Sequence, residues 1–249
     1  MKKFLLFNLT FCLLSFALTS DDITREYFYK PFDTQSEIPS RADSVHSYDA
    51  ISYEINIQLY PATHYISGNV LAKIQAMEDN LSEVSYELVS LDVDSVFVNG
   101  NPALFSYDDE MVTITLDQTY NSGDTLFTNV FYQGYPILSS DVYHTGLHWQ
   151  NYIFTYSDPN GARCWWPGYD HPWDKATTKM CIRIPDNLIA ASNGILEQVI
   201  YNGDSTKTFY WNNTDPIATY LVSLCVGDYI IYEQEYGNLP IINYVYPSH

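Results

Sequence analysis

From Tyr48 the chain alternates. In YDAISYEINIQLYP, Ile51, Tyr53, Ile55, Ile57 and Leu59 fall on one side, and Ser52, Glu54, Asn56 and Gln58 on the other. A period of two marks a half-buried strand. Residues 66–77 read as its antiparallel partner after a turn around Pro61, with a bulge expected at Gly68. VFVNGNPALF sets Asn-Gly between two β-rich runs, a strong hairpin signal. Strands follow at 111–116 and 126–132. In the second half they return at 179–184 and 188–191, the latter ending at Ser-Asn-Gly. Residues 195–201 and 206–211 flank Asn-Gly-Asp-Ser as a further hairpin. Residues 217–226 are apolar and β-branched, the pattern of one strand covered on both faces. Runs at 229–233 and 241–246 close the series, and no stretch sustains a helical period. The expected architecture is all-β: an antiparallel β-sandwich over residues 48–246. A polar, aperiodic lead-in occupies 21–47, and 247–249 read as the start of a link to something further.

The 23 tyrosines suit pleated surfaces. The opening MKKFLLFNLTFCLLSFALTS reads differently. Two lysines, an uncharged apolar run and small polar residues form the layout of a secretory signal peptide, cleaved near residue 20. The run is short for a membrane span of about 20 residues. The expected location is therefore secreted, periplasmic or cell-surface, with no membrane span after signal removal. Of the 11 basic residues, Lys2 and Lys3 leave with the leader, so nine face 30 acidic ones, a net charge of −21. Such a surface repels phosphate backbones, which excludes nucleic acid as a partner. Cys164, Cys181 and Cys225 remain, none in CxxC spacing. Buried free thiols, or one disulfide with one thiol left over, both fit.

The histidine pair His144 and His148 has the i, i+4 spacing of a zinc-peptidase helix, but Thr145 stands where a general-base glutamate belongs and the flanks are β-rich. In a strand the two rings share a face about 13 Å apart, too far to hold one ion. No metal ligands are therefore expected in this chain. His46, His64, His171 and His249 form no spacing of interest, and Glu233 and Glu235 read as solvated carboxylates on one strand face. No GxSxG, phosphate-binding loop or dinucleotide glycine pattern occurs. The segment Asp158-Pro159-Asn160-Gly161 fits a type I turn, with Asp158 either capping it or displaying a carboxylate to a cation.

Three of the five tryptophans fall within nine residues, in GARCWWPGYDHPWDKAT. That stretch, followed by IPDNLIAASNG and DPIATYLVSLCVGDY, resembles the N-terminal domain of the aminopeptidase N family of zinc metallopeptidases. YDAISYEINIQL, SGNV and VFYQGYP fit the same pattern more loosely. The resemblance covers about residues 46–246. It implies a β-saddle or sandwich that completes the substrate cleft of a secreted aminopeptidase. Zinc chemistry in this family belongs to the following catalytic domain, with its HExxH and G-x-M-E-N motifs, and neither motif is in this sequence. The chain is therefore expected to be inactive alone, with its own catalytic domain and peptide substrates as partners and zinc bound outside these residues. A stand-alone secreted β-sandwich binding peptides or glycans is the alternative. The resemblance also places Asp158 at the family's α-amine-binding carboxylate, one methylene shorter, and Tyr156 at the cleft edge.

The tryptophan-rich stretch itself reads as a structural clasp. Pro167 and Pro172 deny regular ladder bonds, so the segment is an irregular connection. Arg163 and Asp170 are expected to pair where water is scarce, with Lys175 as a further charge. Trp165 and Trp166 are expected to cover the seam, their indole N–H groups reaching carbonyls. His171 and Gly168 stand where the family has Glu and Cys.

Overall fold

Alternation along β1 (Tyr48–Tyr60) and β2 (Tyr65–Ala76) buries one face of a long antiparallel pair. A computed structural model describes residues 46–140 and 142–247. The leader and nearly all of the lead-in fall outside that range. The strands that follow are β3 (Leu81–Glu87), β4 (Asp92–Val98), β5 (Asn101–Pro102), β6 (Phe105–Asp108), β7 (Met111–Tyr120) and β8 (Thr125–Gly134). Then come β9 (Gly146–Trp149), β10 (Ile153–Tyr156), β11 (Lys175–Pro185), β12 (Ile189–Ser192), β13 (Ile195–Tyr201) and β14 (Thr206–Ala218). The last are β15 (Leu224–Gly227), β16 (Ile230–Tyr236) and β17 (Leu239–Val245).

Eight strands form the main sheet, in the order β13-β14-β11-β1-β2-β8-β4-β5. Its β1–β11 pair is parallel; the other named pairs are antiparallel. Two smaller sheets, β3-β7-β6 and β12-β15-β10-β9, contribute to the same continuous core. Tyr53, Ile55, Ile57, Ile66 and Ile74 of the large sheet belong to it with Val84, Tyr86 and Ile114 of the three-stranded sheet and Leu147, Ile153 and Val226 of the four-stranded one. Each such side chain removed from water stabilises the fold by roughly 1.5–3 kcal/mol before entropy is counted. The Tyr86 hydroxyl reaches Thr128 Oγ1 at 2.6 Å, tying β3 to β8 across the sandwich.

Three local expectations are corrected. The bulge lies in β1, between Ala50 and Ser52, and not at Gly68. It resets the alternation, so Tyr48 and Ala50 are buried while Ile51 is only half-buried. Gly68 stays in register opposite Ile57, and a Cβ there would lie 2.0 Å from the Asn56 carbonyl oxygen, which is why the ladder needs glycine. Residues 217–226 are not one strand. β14 ends at Ala218, a 3₁₀ turn covers Thr219–Leu221, and β15 belongs to the four-stranded sheet. Apolar content alone cannot reveal that a chain changes sheets between two buried segments. The Asn-Gly hairpin is as read: Val98 pairs with Asn101, and Asn99 and Gly100 take φ values of 49° and 81°.

Candidate functional site

Residues 157–174 carry the chain from β10 to β11, and their regular structure is one 3₁₀ turn, Ala162–Cys164. Irregular backbone near a core must satisfy its polar groups by other means. Here buried carboxylates do so. Asp170, 1% exposed, accepts the Arg163 backbone N–H at 3.1 Å, Arg163 Nε at 3.2 Å and the Thr219 hydroxyl at 2.8 Å. Arg163 Nη2 also donates to the Asp170 carbonyl at 3.0 Å. Burial pushes the Asp170 carboxyl above its usual range despite these donors.

Glu87, at the end of β3, accepts the Asp170 N–H at 3.0 Å and lies 2.8 Å from His171 Nε2 and 3.8 Å from Arg163 Nη2. Burial alone would raise its carboxyl, but His171, the Asp170 amide and Arg163 together bring it below the ordinary value of 4.5. A paired bridge, Glu87 N–H to Gly168 carbonyl at 2.9 Å and Gly168 N–H to Glu87 carbonyl at 3.3 Å, docks the connection on β3. A Cβ on residue 168 would lie 2.6 Å from the Trp166 ring, so glycine is what permits this approach. Asp174, 6% exposed, accepts the Ala50 N–H at 3.2 Å and lies 3.3 Å from His46 Nε2. His46 stacks on Tyr169 at 3.7 Å, and Tyr169 meets His171 at 4.3 Å.

The lowered Glu87 pKa has a direction in pH. A carboxyl titrating lower in the folded chain than in the unfolded one contributes stability above its unfolded value. That contribution is lost as pH falls through the folded value. Glu87→Gln is therefore expected to be less stable than the parent at neutral pH, with the gap closing as pH drops below about 4.5. Urea midpoints between pH 7 and pH 3 check this; a gap that does not vary with pH overturns it.

The sequence-identified residues separate into two groups. Arg163 and Asp170 are in contact, and Trp165 and Trp166 are 0% and 1% exposed beside them. The Trp165 indole donates to the Ser157 hydroxyl at 3.2 Å, not to a carbonyl, and Trp166 Nε1 finds no partner among the described residues. Lys175 is exposed at the start of β11, and no ion pair involves it among the described residues. Glu87, Thr219, Asp174, His46 and His171 were not singled out as partners. The one signal for Glu87 was a charge inside an otherwise apolar run, SYELVSL.

Tyr156 and Asp158 form the second group. Tyr156 ends β10 opposite Gly146 and is 40% exposed. The turn beyond it is not type I. The Gly161 N–H donates to the Ser157 carbonyl at 2.7 Å, one residue wider, around a cis Asp158–Pro159 peptide. Ser157 is buried and anchored through Trp165, while Asp158, Pro159 and Asn160 are exposed. The Asp158 carboxylate caps nothing, since no described residue bonds to it. Neighbouring strands are fixed by side chains. The Leu224 N–H donates to Thr155 Oγ1 at 3.0 Å, the Ser223 N–H to Asn193 Oδ1 at 2.7 Å, and Asn193 Nδ2 to the Leu221 carbonyl at 3.0 Å. The Asn193 bonds are what the Ser-Asn-Gly motif does here.

His144 lies in a turn at φ 50° and His148 stacks on Phe154 at 4.6 Å, its pKa lowered by burial. Among the described residues, no three His, Cys, Asp or Glu side chains are placed to hold a metal ion. No disulfide joins Cys164, Cys181 and Cys225 to one another. Burial pushes the Cys181 thiol to about 11 and raises that of Cys225, so neither is a thiolate at neutral pH. Tyr60, Tyr65 and Tyr135 meet edge to face at 5.6 and 5.1 Å, which gives no flat row for stacking sugars. What the arrangement offers is a rigid β-scaffold that displays one free carboxylate and holds the adjoining connection by buried ion pairs.

The comparisons identify the domain. The Peptidase M1 N-terminal domain model matches residues 49–221, and the chain belongs to that family. Aminopeptidase N of Acetobacter pasteurianus is 26% identical over 221 residues, covering 76% of this chain and 59% of the relative. Leucine aminopeptidase 2 of Vanderwaltozyma polyspora is 23% identical over 186 residues, covering 71% and 28%. The fold is shared with an M1 zinc metallopeptidase variant from Deinococcus radiodurans bound to a Tyr-Ser-Ala substrate, at TM-score 0.73 and 24% identity, covering 79% of this chain and 47% of that one. The chain thus spans less than two thirds of each of these relatives.

Proposed function

We propose that this chain is the cleft-completing N-terminal domain of a secreted zinc aminopeptidase. The enzyme removes N-terminal residues from peptides, and the zinc is held by a catalytic domain outside these residues. Asp158 binds the substrate's α-ammonium group and Tyr156 borders the cleft. The observation that carries this reading is the exposed, unpartnered Asp158 carboxylate on a turn anchored by Ser157 and Trp165. The leader-like residues 1–20 support export to the periplasm, cell surface or medium. Zinc, when bound, supplies an activated water; this chain contributes shape and one charge.

The 249-residue chain is expected to show no chelator-sensitive hydrolysis of amino-acid 4-nitroanilides. The polypeptide translated through the coding sequence beyond His249 is expected to show it. Turnover by the 249 residues alone, blocked by a chelator, overturns the reading.

A further inference from the structure

We infer that Asp49 and Asp174 form a proton-operated latch, closed in acid and loosened as pH rises, that ties the start of β1 to the end of the β10–β11 connection. The latch is independent of the aminopeptidase reading. It begins from an unfilled hydrogen bond. The Asp174 side chain is 3% exposed. Its Oδ2 accepts the Ala50 N–H at 3.2 Å and lies 3.3 Å from His46 Nε2. Its Oδ1 is buried and has no hydrogen-bond partner among the described residues. A buried carboxylate oxygen without a donor is costly, and folded chains ordinarily supply a hydrogen bond or a counter-charge.

No fixed counter-charge is at hand. Among the described residues no lysine or arginine pairs with Asp174, and Arg163 is held by Asp170 and Glu87. The neighbour that can become a donor is Asp49, next to Ala50 in β1, whose carboxyl is within hydrogen-bonding reach of Asp174. Two carboxylates so placed repel when both are charged, whereas one shared proton gives Oδ1 an O–H donor. The Asp49 carboxyl is raised accordingly, first by burial, then by the Asp174 charge and the hydrogen bond between them, with His46 acting the other way.

The other groups around the pair do not carry the switch. Tyr48 and Tyr53 of β1, Tyr86 of β3 and Tyr169 of the connection all have hydroxyls raised above the ordinary tyrosine value, so they stay neutral in acid. From β2, Gln75 stands opposite Asp49 and has no charge. Glu87 is engaged by His171 and the Asp170 amide, while Glu78 and Glu83, exposed beside the cavity that His46 lines, add only negative charge. A carboxyl titrating higher in the folded chain than in the unfolded one contributes stability that is fully present below its unfolded value, near 3.8. That contribution is lost as pH rises through the folded value, where two negative charges come to face each other. The sign is opposite to that of Glu87.

Carboxyl-carbon NMR titration of the 249-residue chain tests the latch. The Asp49 resonance is expected to titrate above 3.8 in the parent and to move down in Asp174→Asn. Asp49→Asn puts an uncharged amide donor where the shared proton sits. Its urea midpoint is expected to exceed the parent's at pH 7 and to converge on it at pH 3. Glu235→Gln removes the same charge from the exposed strand β16 and is expected to gain less. Protection of the Ala50 amide, corrected for intrinsic exchange, is expected to fall between pH 4 and pH 7 in the parent, while that of Ile55 in the same strand does not. An Asp49 resonance titrating at or below 3.8 overturns the inference. So does an Asp49→Asn midpoint no higher than the parent's at pH 7, or an equal gain from Glu235→Gln. If Asp174→Asn does not fold, the parent titration and the Asp49→Asn comparison still decide.

Discussion

Asp170→Ala is expected to destabilise the chain by about 3–5 kcal/mol, the range for removing one partner of a buried ion pair. For a domain of this size that is a fall in melting temperature of roughly 6–20 °C. The carboxylate accepts three hydrogen bonds at once, from the Arg163 amide, Arg163 Nε and the Thr219 hydroxyl. All three donors lose their acceptor in the variant. Arg163 keeps only the Asp170 carbonyl and the Glu87 carboxylate at 3.8 Å. The raised Asp170 pKa does not argue against this effect. It says that ionising the group inside the protein is itself unfavourable, so the pair adds little net stability, yet breaking it leaves the half-buried Arg163 with only the more distant Glu87 as a counter-charge. Asp170→Asn keeps one acceptor oxygen and is expected to lose less. A guanidinium denaturation midpoint unmoved by Asp170→Ala would show that the connection between β10 and β11 is held by packing of Trp165 and Trp166 alone.

Alternation made most strands legible, because one covered face imposes a period of two whatever the partners are. Residues 195–201 have the observed bounds, and β1, β2, β7, β8 and β11 were found with shortened or shifted ends. The short strands β9 and β10 were missed: four residues each give too little pattern to separate from a loop. β3 was missed for another reason. Its buried positions include Tyr86 and Glu87, so the apolar period breaks where the strand meets the clasp. That break hid Glu87, which lies far from Arg163, Asp170 and His171 in sequence and meets them through sheet packing alone. The site was thus half readable. Asp158, Arg163 and Asp170 stand in a recognisable motif, whereas Glu87, Thr219 and Asp174 depend on three-dimensional pairing that local sequence does not encode. His171 illustrates the same limit. Its imidazole faces the Glu87 carboxylate, a partner that local sequence does not announce.

If the proposed function holds, Asp158→Ala in the longer enzyme is expected to reduce kcat/KM for substrates with a free α-amine by about 30- to 5,000-fold, corresponding to about 2–5 kcal/mol for a partly desolvated charge pair. Substrates in which hydrogen replaces the α-amine are expected to change little. That contrast separates amine binding from a general loss of structure. The stability of Asp158→Ala offers a second control. Because the carboxylate is exposed and bonds to no described residue, its loss is expected to shift unfolding by no more than about 0.5 kcal/mol. Asp158→Glu adds one methylene of reach. Activity retained or raised in that variant, with the alanine variant impaired, is the outcome a reach-limited ammonium contact produces. The turn would supply the anchoring such a contact needs: Ser157, buried under the Trp165 indole and closed onto Gly161, leaves the side chain of the next residue exposed. If kcat/KM is the same for the parent and the alanine variant on an α-amino substrate, Asp158 has no part in recognition, and the scaffold contributes shape alone.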